Sequence, residues 1–191
     1  MYIGNFCRNR NYRSMKNLTT VQQRFILHWG EMGVRWGINR TMAQIHALLY
    51  LTPAPLHAET IAETLGVARS NVSNSLRELQ NWGIVKIVHV AGDRRDHFES
   101  MKDVWEMFRQ VLDERKKREI DPTVEVLRQC ADAAAKEKDR ITHQRLAAMC
   151  EFFESMSTWY DQIDQLPTPA VIKFIKLGGK IQKLLGMGGK S

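Results

Sequence analysis

Residues 56–99 read LHAETIAETLGVARSNVSNSLRELQNWGIVKIVHVAGDRRDHFE, and this stretch decides the fold. Ala58 to Leu65 has helical spacing with Ile61, Ala62 and Leu65 inward, and Gly66 can take the left-handed conformation that closes a helix. Arg69 to Trp82 repeats the pattern with Val72, Leu76 and Leu79 on one face and Gly83 after it. Val85 to Val90 is rich in β-branched residues. The turn-forming run Ala91 to Asp96 then leads into His97-Phe98-Glu99, which predicts a β-hairpin. A short helix, a glycine turn, a second helix and a hairpin make up the layout of a winged helix-turn-helix.

The flanks read as helix. Leu18, Val21, Phe25, Trp29 and Met32 recur at three- and four-residue steps, which predicts a helix from Leu18 to Trp36 with those side chains inward. Asn39 or Thr41 starts a second helix with Met42, Ile45, Leu48 and Leu49 on its face, and Thr52-Pro53-Ala54-Pro55 stops it. After the hairpin, Val104, Trp105, Phe108, Val111 and Leu112 form another stripe. Asp121-Pro122 is a start signal with a side-chain cap and a proline at the first helical position. Residues 123–166 contain neither Gly nor Pro. They form either one helix about 66 Å long or two packed helices broken near Lys136–Thr142. Pro167 and Pro169 end that run, and Ala170 to Leu177 is a short last helix before a Gly- and Lys-rich tail.

If Val72, Leu76 and Leu79 face inward, the other side of the second helix is free to enter a major groove. It carries Arg69, Ser70, Asn71, Ser73, Asn74 and Arg77, short polar and basic side chains suited to base edges and phosphates. Arg94 and Arg95 at the hairpin can reach an adjacent minor groove, where narrow A/T-rich stretches attract arginine. Glu78, Asp93 and Asp96 read as ion-pair partners for these arginines and not as catalytic carboxylates.

In the order of these motifs, residues 56–99 resemble the winged-helix domain of MarR-like transcriptional regulators. Gly92-Asp93-Arg94-Arg95-Asp96-His97-Phe98 is similar to the D-x-R wing motif of that family. The upstream GEMGVRWGINRTMAQIHALLYL and the downstream KDVWEMF and ERKKREIDPTVEVL resemble the GbsR branch, so the likeness covers about residues 18–130. The resemblance implies a cytoplasmic homodimer that binds a pseudo-palindromic operator. In it Asp93 braces the wing, Arg95 enters the minor groove, and the recognition helix supplies Ser70 to Arg77. His57 and Ala68 depart from the pattern, standing where Ser, Thr or Asp commonly cap the two helices.

The chain of 191 residues carries 28 Lys+Arg against 21 Asp+Glu, a formal charge of +7. Residues 1–16 hold Arg8, Arg10, Arg13 and Lys16 and no acid, and residues 171–191 hold five lysines and no acid. The body between them is slightly acidic, so the case for a nucleic-acid partner rests on where side chains project and not on isoelectric point. No apolar run approaches a membrane span, and the N-terminus lacks the apolar region of a secretory signal. Met15 is an alternative start. Cys7, Cys130 and Cys150 lack framework spacing, as in a reducing cytoplasm, and Cys130 and Cys150 read as small packing residues. The six histidines show no metal-ligand spacing, and no phosphate-binding glycine motif or nucleophile–base arrangement is present. No metal, cofactor or catalytic residue is therefore expected.

The expected class is mainly α: a winged helix-turn-helix with a small hairpin wing and long C-terminal dimerisation helices. A flexible basic extension occupies 1–17, the DNA-binding domain 18–101, a helical dimerisation region 102–177 and a Gly/Lys-rich tail 178–191. The aromatic and methionine stripe from Phe152 to Ile163 reads as a subunit interface. The alternative is an effector pocket whose aromatic rings hold a quaternary ammonium. The expected function is a sequence-specific regulator of transcription, a repressor, that binds double-stranded DNA as a homodimer and has room for a small-molecule effector. The alternative is a winged helix that binds protein without reading DNA.

Overall fold

The computed structural model describes Met15 and residues 17–184, with side chains as far as Leu177. The basic stretch before Met15 and the end of the tail lie outside the described residues. The chain divides into two compact units, one through Gln110 and the other from Val111.

In the first unit the order is α1 (Thr20–Arg35), α2 (Arg40–Leu51), β1 (Leu56–His57), α3 (Ala58–Leu65), α4 (Arg69–Asn81), β2 (Val85–Val90) and β3 (Asp93–Ser100), followed by the start of α5 (Val104–Arg115). The helix-turn-helix is α3 and α4, joined at Gly66, whose φ of 64° is the left-handed cap its sequence position requires. Ile61 and Leu65 of α3 and Val72, Leu76 and Leu79 of α4 are all buried. Burying side chains of this size contributes roughly 1.5–3 kcal/mol apiece, which fixes the angle between the two helices.

Central to the unit is α2, with Met42 through Leu49 buried all round. Asn39 caps it, its side chain accepting from the backbone N–H of Thr41 and Met42. Its last turn is closed from a distance: the Lys102 ammonium donates to the carbonyls of Leu49, Tyr50 and Thr52 at 2.7–2.9 Å. These are the carbonyls a helix end leaves unsatisfied.

Some details of this unit differ from the sequence expectations. The buried residues of α1 are Ile26, Gly30 and Gly33, while Val21 is 78% exposed and Phe25, Trp29 and Met32 are half-buried. The reason is close approach to α2: a Cβ on Gly33 would lie 2.6 Å from the Ala43 Cβ, so the smallest residues, not the largest, mark the packed face. The hairpin turn is only Ala91-Gly92, and Arg94 and Arg95 belong to strand β3. A third strand, β1, pairs with β3 to give an antiparallel sheet in the order β1-β3-β2. His57 does cap α3, its Nδ1 lying 3.4 Å from the Thr60 amide, whereas Ala68 supplies no side-chain cap to α4.

The second unit continues α5 through a π-helical turn, Lys116–Ile120, into α6 (Asp121–Lys136), then α7 (Arg140–Asp164) and α8 (Thr168–Leu184). Asp121 is not a side-chain cap, because the helix enters from the preceding turn and the carboxylate pairs with Lys116 at 3.0 Å. The run 123–166 is two helices. Lys138 takes φ 61° between them, and Asp139 caps α7 through the Thr142 amide at 3.0 Å. The pair is held by Val124, Leu127, Ala131 and Ala134 of α6 and by an Arg128–Glu154 ion pair. Cys130 is exposed and so is not the packing residue expected, while Cys150 is half-buried. The last helix runs on through Gly178-Gly179 to Leu184, beyond the expected end at Leu177. Among the described residues no helix is long and apolar enough to cross a membrane.

Candidate nucleic-acid interface

With Val72, Ser75, Leu76 and Leu79 turned into the core, α4 presents Arg69, Ser70, Asn71, Asn74 and Arg77 as exposed residues and Ser73 as half-exposed. The wing lies beside this face. Arg69, Ser73 and Arg77 of α4, Arg94 and Arg95 of β3, and Glu59 of α3 line one groove of about 490 Å³. Ser70, Asn71 and Asn74 lie on the same helix outside that lining.

The four arginines are not equivalent. Arg69 is held across the helix-turn-helix by Glu59 at 2.8 Å and along its own helix by the Ser73 hydroxyl. The hydrogen bond from Arg69 is the main reason the Glu59 carboxyl is held down at about 2. Arg95 is clamped by Asp93: Nε donates to both carboxylate oxygens at 2.9 and 3.0 Å, a terminal nitrogen donates to Oδ2, and the Arg95 backbone N–H donates to Oδ1 at 3.0 Å. Those bonds hold the Asp93 carboxyl well below the usual carboxylate range and raise the Arg95 guanidinium. Arg77 and Arg94 have no hydrogen-bond or ion-pair partner among the described residues. Lys86, also on the wing, pairs with Glu99 directly across the ladder at 2.8 Å.

Strand pairing sets where the wing arginines sit. The register runs Val85↔Ser100 to Val88↔His97 and resumes at Val90↔Asp93. Only His89 therefore stands opposite Arg94, Arg95 and Asp96, and the ladder bulges there. A bulge bends the strand and re-aims its side chains. Gly92, at φ 84°, makes the tight turn that precedes it.

The sequence singled out the arginines and the polar face of α4 but missed Glu59, His57 and His97, which cluster at the base of the wing. Glu59 sits ten residues before Arg69, so no helical spacing links them. The two histidines meet only because Leu56-His57 forms a strand beside β3, with His57 opposite His97 and the rings edge to face at 5.5 Å. Two residues after a proline-rich stretch gave no signal of a strand.

A family model and one solved structure agree with this architecture. Residues 36–96 match the MarR family. A solved structure described as a transcriptional regulator has a TM-score of 0.52 and 21% identity, covering 74% of this chain and 99% of its own. A transcriptional regulator from Thermotoga maritima has a TM-score of 0.36 and 18% identity, covering 71% of this chain and 91% of its own. No curated protein sequence matches the chain. The fold is a winged helix of the MarR type, with long C-terminal helices.

Proposed function

We propose that this protein is a sequence-specific regulator of transcription that binds double-stranded DNA through α4 and the wing. The observation that carries this reading is the groove where Arg69, Arg77, Arg94 and Arg95 converge beside the polar face of α4. In this arrangement α4 enters a major groove. Arg77, with Ser70, Asn71, Ser73 and Asn74, meets base edges and phosphates, and Arg69 is steadied by Glu59 near the helix N-terminus. The wing arginines reach the neighbouring minor groove, Arg95 fixed by Asp93 and Arg94 carrying an uncompensated charge.

The protein acts as a homodimer on a pseudo-palindromic site, as a repressor, with half-sites about one helical turn, roughly 10 bp, apart. Support for the dimer comes from the second unit. No residue of α7 is buried within the chain, and Met149, Phe152, Met156 and Trp159 on it are 46–60% exposed. Apolar exposure on this scale marks an interaction surface. A small-molecule effector bound at the same stripe is the alternative role for it. The sequence likeness over about residues 18–130 supports the GbsR branch as part of this reading.

Selection of bound duplexes from a random DNA pool tests the reading. An enriched motif with two half-sites, bound less tightly by Arg95→Ala in a gel shift, is the expected result. Recovery of no motif removes sequence-specific recognition and favours a winged helix that binds protein.

A further inference from the structure

We propose that His97 is the residue that positions the wing arginine Arg95, and through it sets how the wing engages DNA. This rests on the DNA reading given above and adds to it a residue outside the contacting set. The need for such a residue follows from the bulge. Arg94, Arg95 and Asp96 have no partner in the strand register with β1 or β2, so regular ladder pairing is interrupted at Arg95. Two side chains take over. Asp93 accepts from the Arg95 backbone N–H at 3.0 Å. His97 lies on the other side, with its Nδ1–H donating to the Arg95 carbonyl at 2.9 Å.

One imidazole thereby reaches both halves of the clamp. Its second nitrogen, Nε2, stands 3.5 Å from Asp93 Oδ2, one of the oxygens that hold the Arg95 guanidinium. The ring itself has little freedom. His97 is 6% exposed, and His57 packs edge-on against it from β1, itself tied to Glu59 and Thr60 at 2.9 Å. A buried strand position of this kind is ordinarily filled by an apolar side chain, because burying a polar group costs free energy unless it is hydrogen-bonded. An imidazole here has a partner for its Nδ1–H in the Arg95 carbonyl, and that partner belongs to the wing arginine itself.

The test uses the full chain and a duplex recovered by selection with the wild-type protein. His97→Phe keeps a ring and removes both nitrogens, whereas His97→Asn keeps a donor near the Nδ1 position. Neighbours that share a network couple by amounts that correspond here to about three- to tenfold in affinity. His97→Phe is expected to weaken binding by that factor, His97→Asn to recover part of it, and His97→Phe to have no further effect when Arg95 is already Ala. An equal loss in the Arg95→Ala background overturns the proposal, because the histidine would then act through packing alone. A DNA-independent arm separates this from the wing reading: hydrogen exchange at the Arg95 amide is expected to speed up in His97→Phe and to stay slow in His97→Asn. If exchange is unchanged in His97→Phe, His97 does not position Arg95. If Arg95→Ala itself binds as tightly as wild type while exchange responds as expected, the DNA role of the wing fails and the positioning contact stands.

Discussion

Arg77 and Arg94 carry charges that no carboxylate neutralises among the described residues, whereas Arg69 and Arg95 are each bound to one. The two kinds should respond differently to substitution. If Arg77 meets base edges as proposed, Arg77→Ala should cost about 1–3 kcal/mol of binding and relax specificity at one position of each half-site. Glu59→Gln leaves that contact set intact but loosens Arg69, and its effect should be smaller. Competition gel shifts over single-base variants of the selected site distinguish the two. A separate residue-scale prediction concerns His46, which is buried in α2 with Nε2 lacking a hydrogen-bond partner among the described residues. Burial, reinforced by the Lys102 charge, lowers its pKa from 6.5 to about 4. The unfolded chain therefore takes up a proton near pH 6.5 that the folded protein refuses until about pH 4. The contribution to stability is complete above pH 6.5 and is lost as the pH falls toward 4, by roughly 3 kcal/mol across the window. Urea unfolding at pH 7.5 and pH 5 should show this loss in wild type and much less of it in His46→Leu; equal losses in both would exclude His46 as its source.

At the scale of elements, α1 against α2 is the sharpest case. Gly to Ala within a helix ordinarily stabilises by up to about 1 kcal/mol. At Gly33 the new Cβ would stand 2.6 Å from the Ala43 Cβ on a packed helix, so Gly33→Ala should instead destabilise by about 1–3 kcal/mol. Ala43→Gly should restore part of that loss in the double variant. Gly30→Ala meets the Gln44 side chain at 2.7 Å, which can swing away more readily than a Cβ, so it should cost less. Denaturant midpoints of the four proteins check the order. The same contact explains what the sequence could and could not show. Helices α3 and α4 were legible because their packed faces are made of large apolar residues at regular spacing, with Gly66 between them. The packed face of α1 was not, because helix spacing there is set by missing side chains, and periodicity of large residues pointed instead to a stripe that stays partly exposed. In the wing, the arginines were legible as charges just after a turn. The bulge and the support from His97 and Glu59 were not, since the bulge depends on strand register, the His97 ring is held by His57 from β1, and Glu59 meets Arg69 only across a helix crossing. The π-helical turn before Asp121 hid in a charged run that reads equally well as a break.

For the molecule as a whole, the question is how many of its charges meet DNA at once. The formal +7 lies at the two ends of the chain, and residues 56–100 carry five basic against six acidic residues. Bulk attraction therefore contributes little at the winged helix, and the salt dependence of binding should report individual arginines. Each neutralised phosphate adds about −0.9 to the slope of log affinity against log salt. In a homodimer on two half-sites every substitution is made twice, so Arg94→Ala should lower the magnitude of that slope by about 1.8, against about 0.9 for a single bound chain. The comparison tests stoichiometry and contact together. Replacing Phe152 and Trp159 by Glu, on the exposed stripe of α7, should convert the protein to a monomer by sedimentation while its helical circular dichroism persists. In that monomer the shift caused by Arg94→Ala should fall to the single-chain value, because one wing then meets the duplex instead of two. An unchanged sedimentation coefficient together with a slope shift near 0.9 in the parent protein would rule out a dimer through α7, leaving α4 and the wing as a one-site reader.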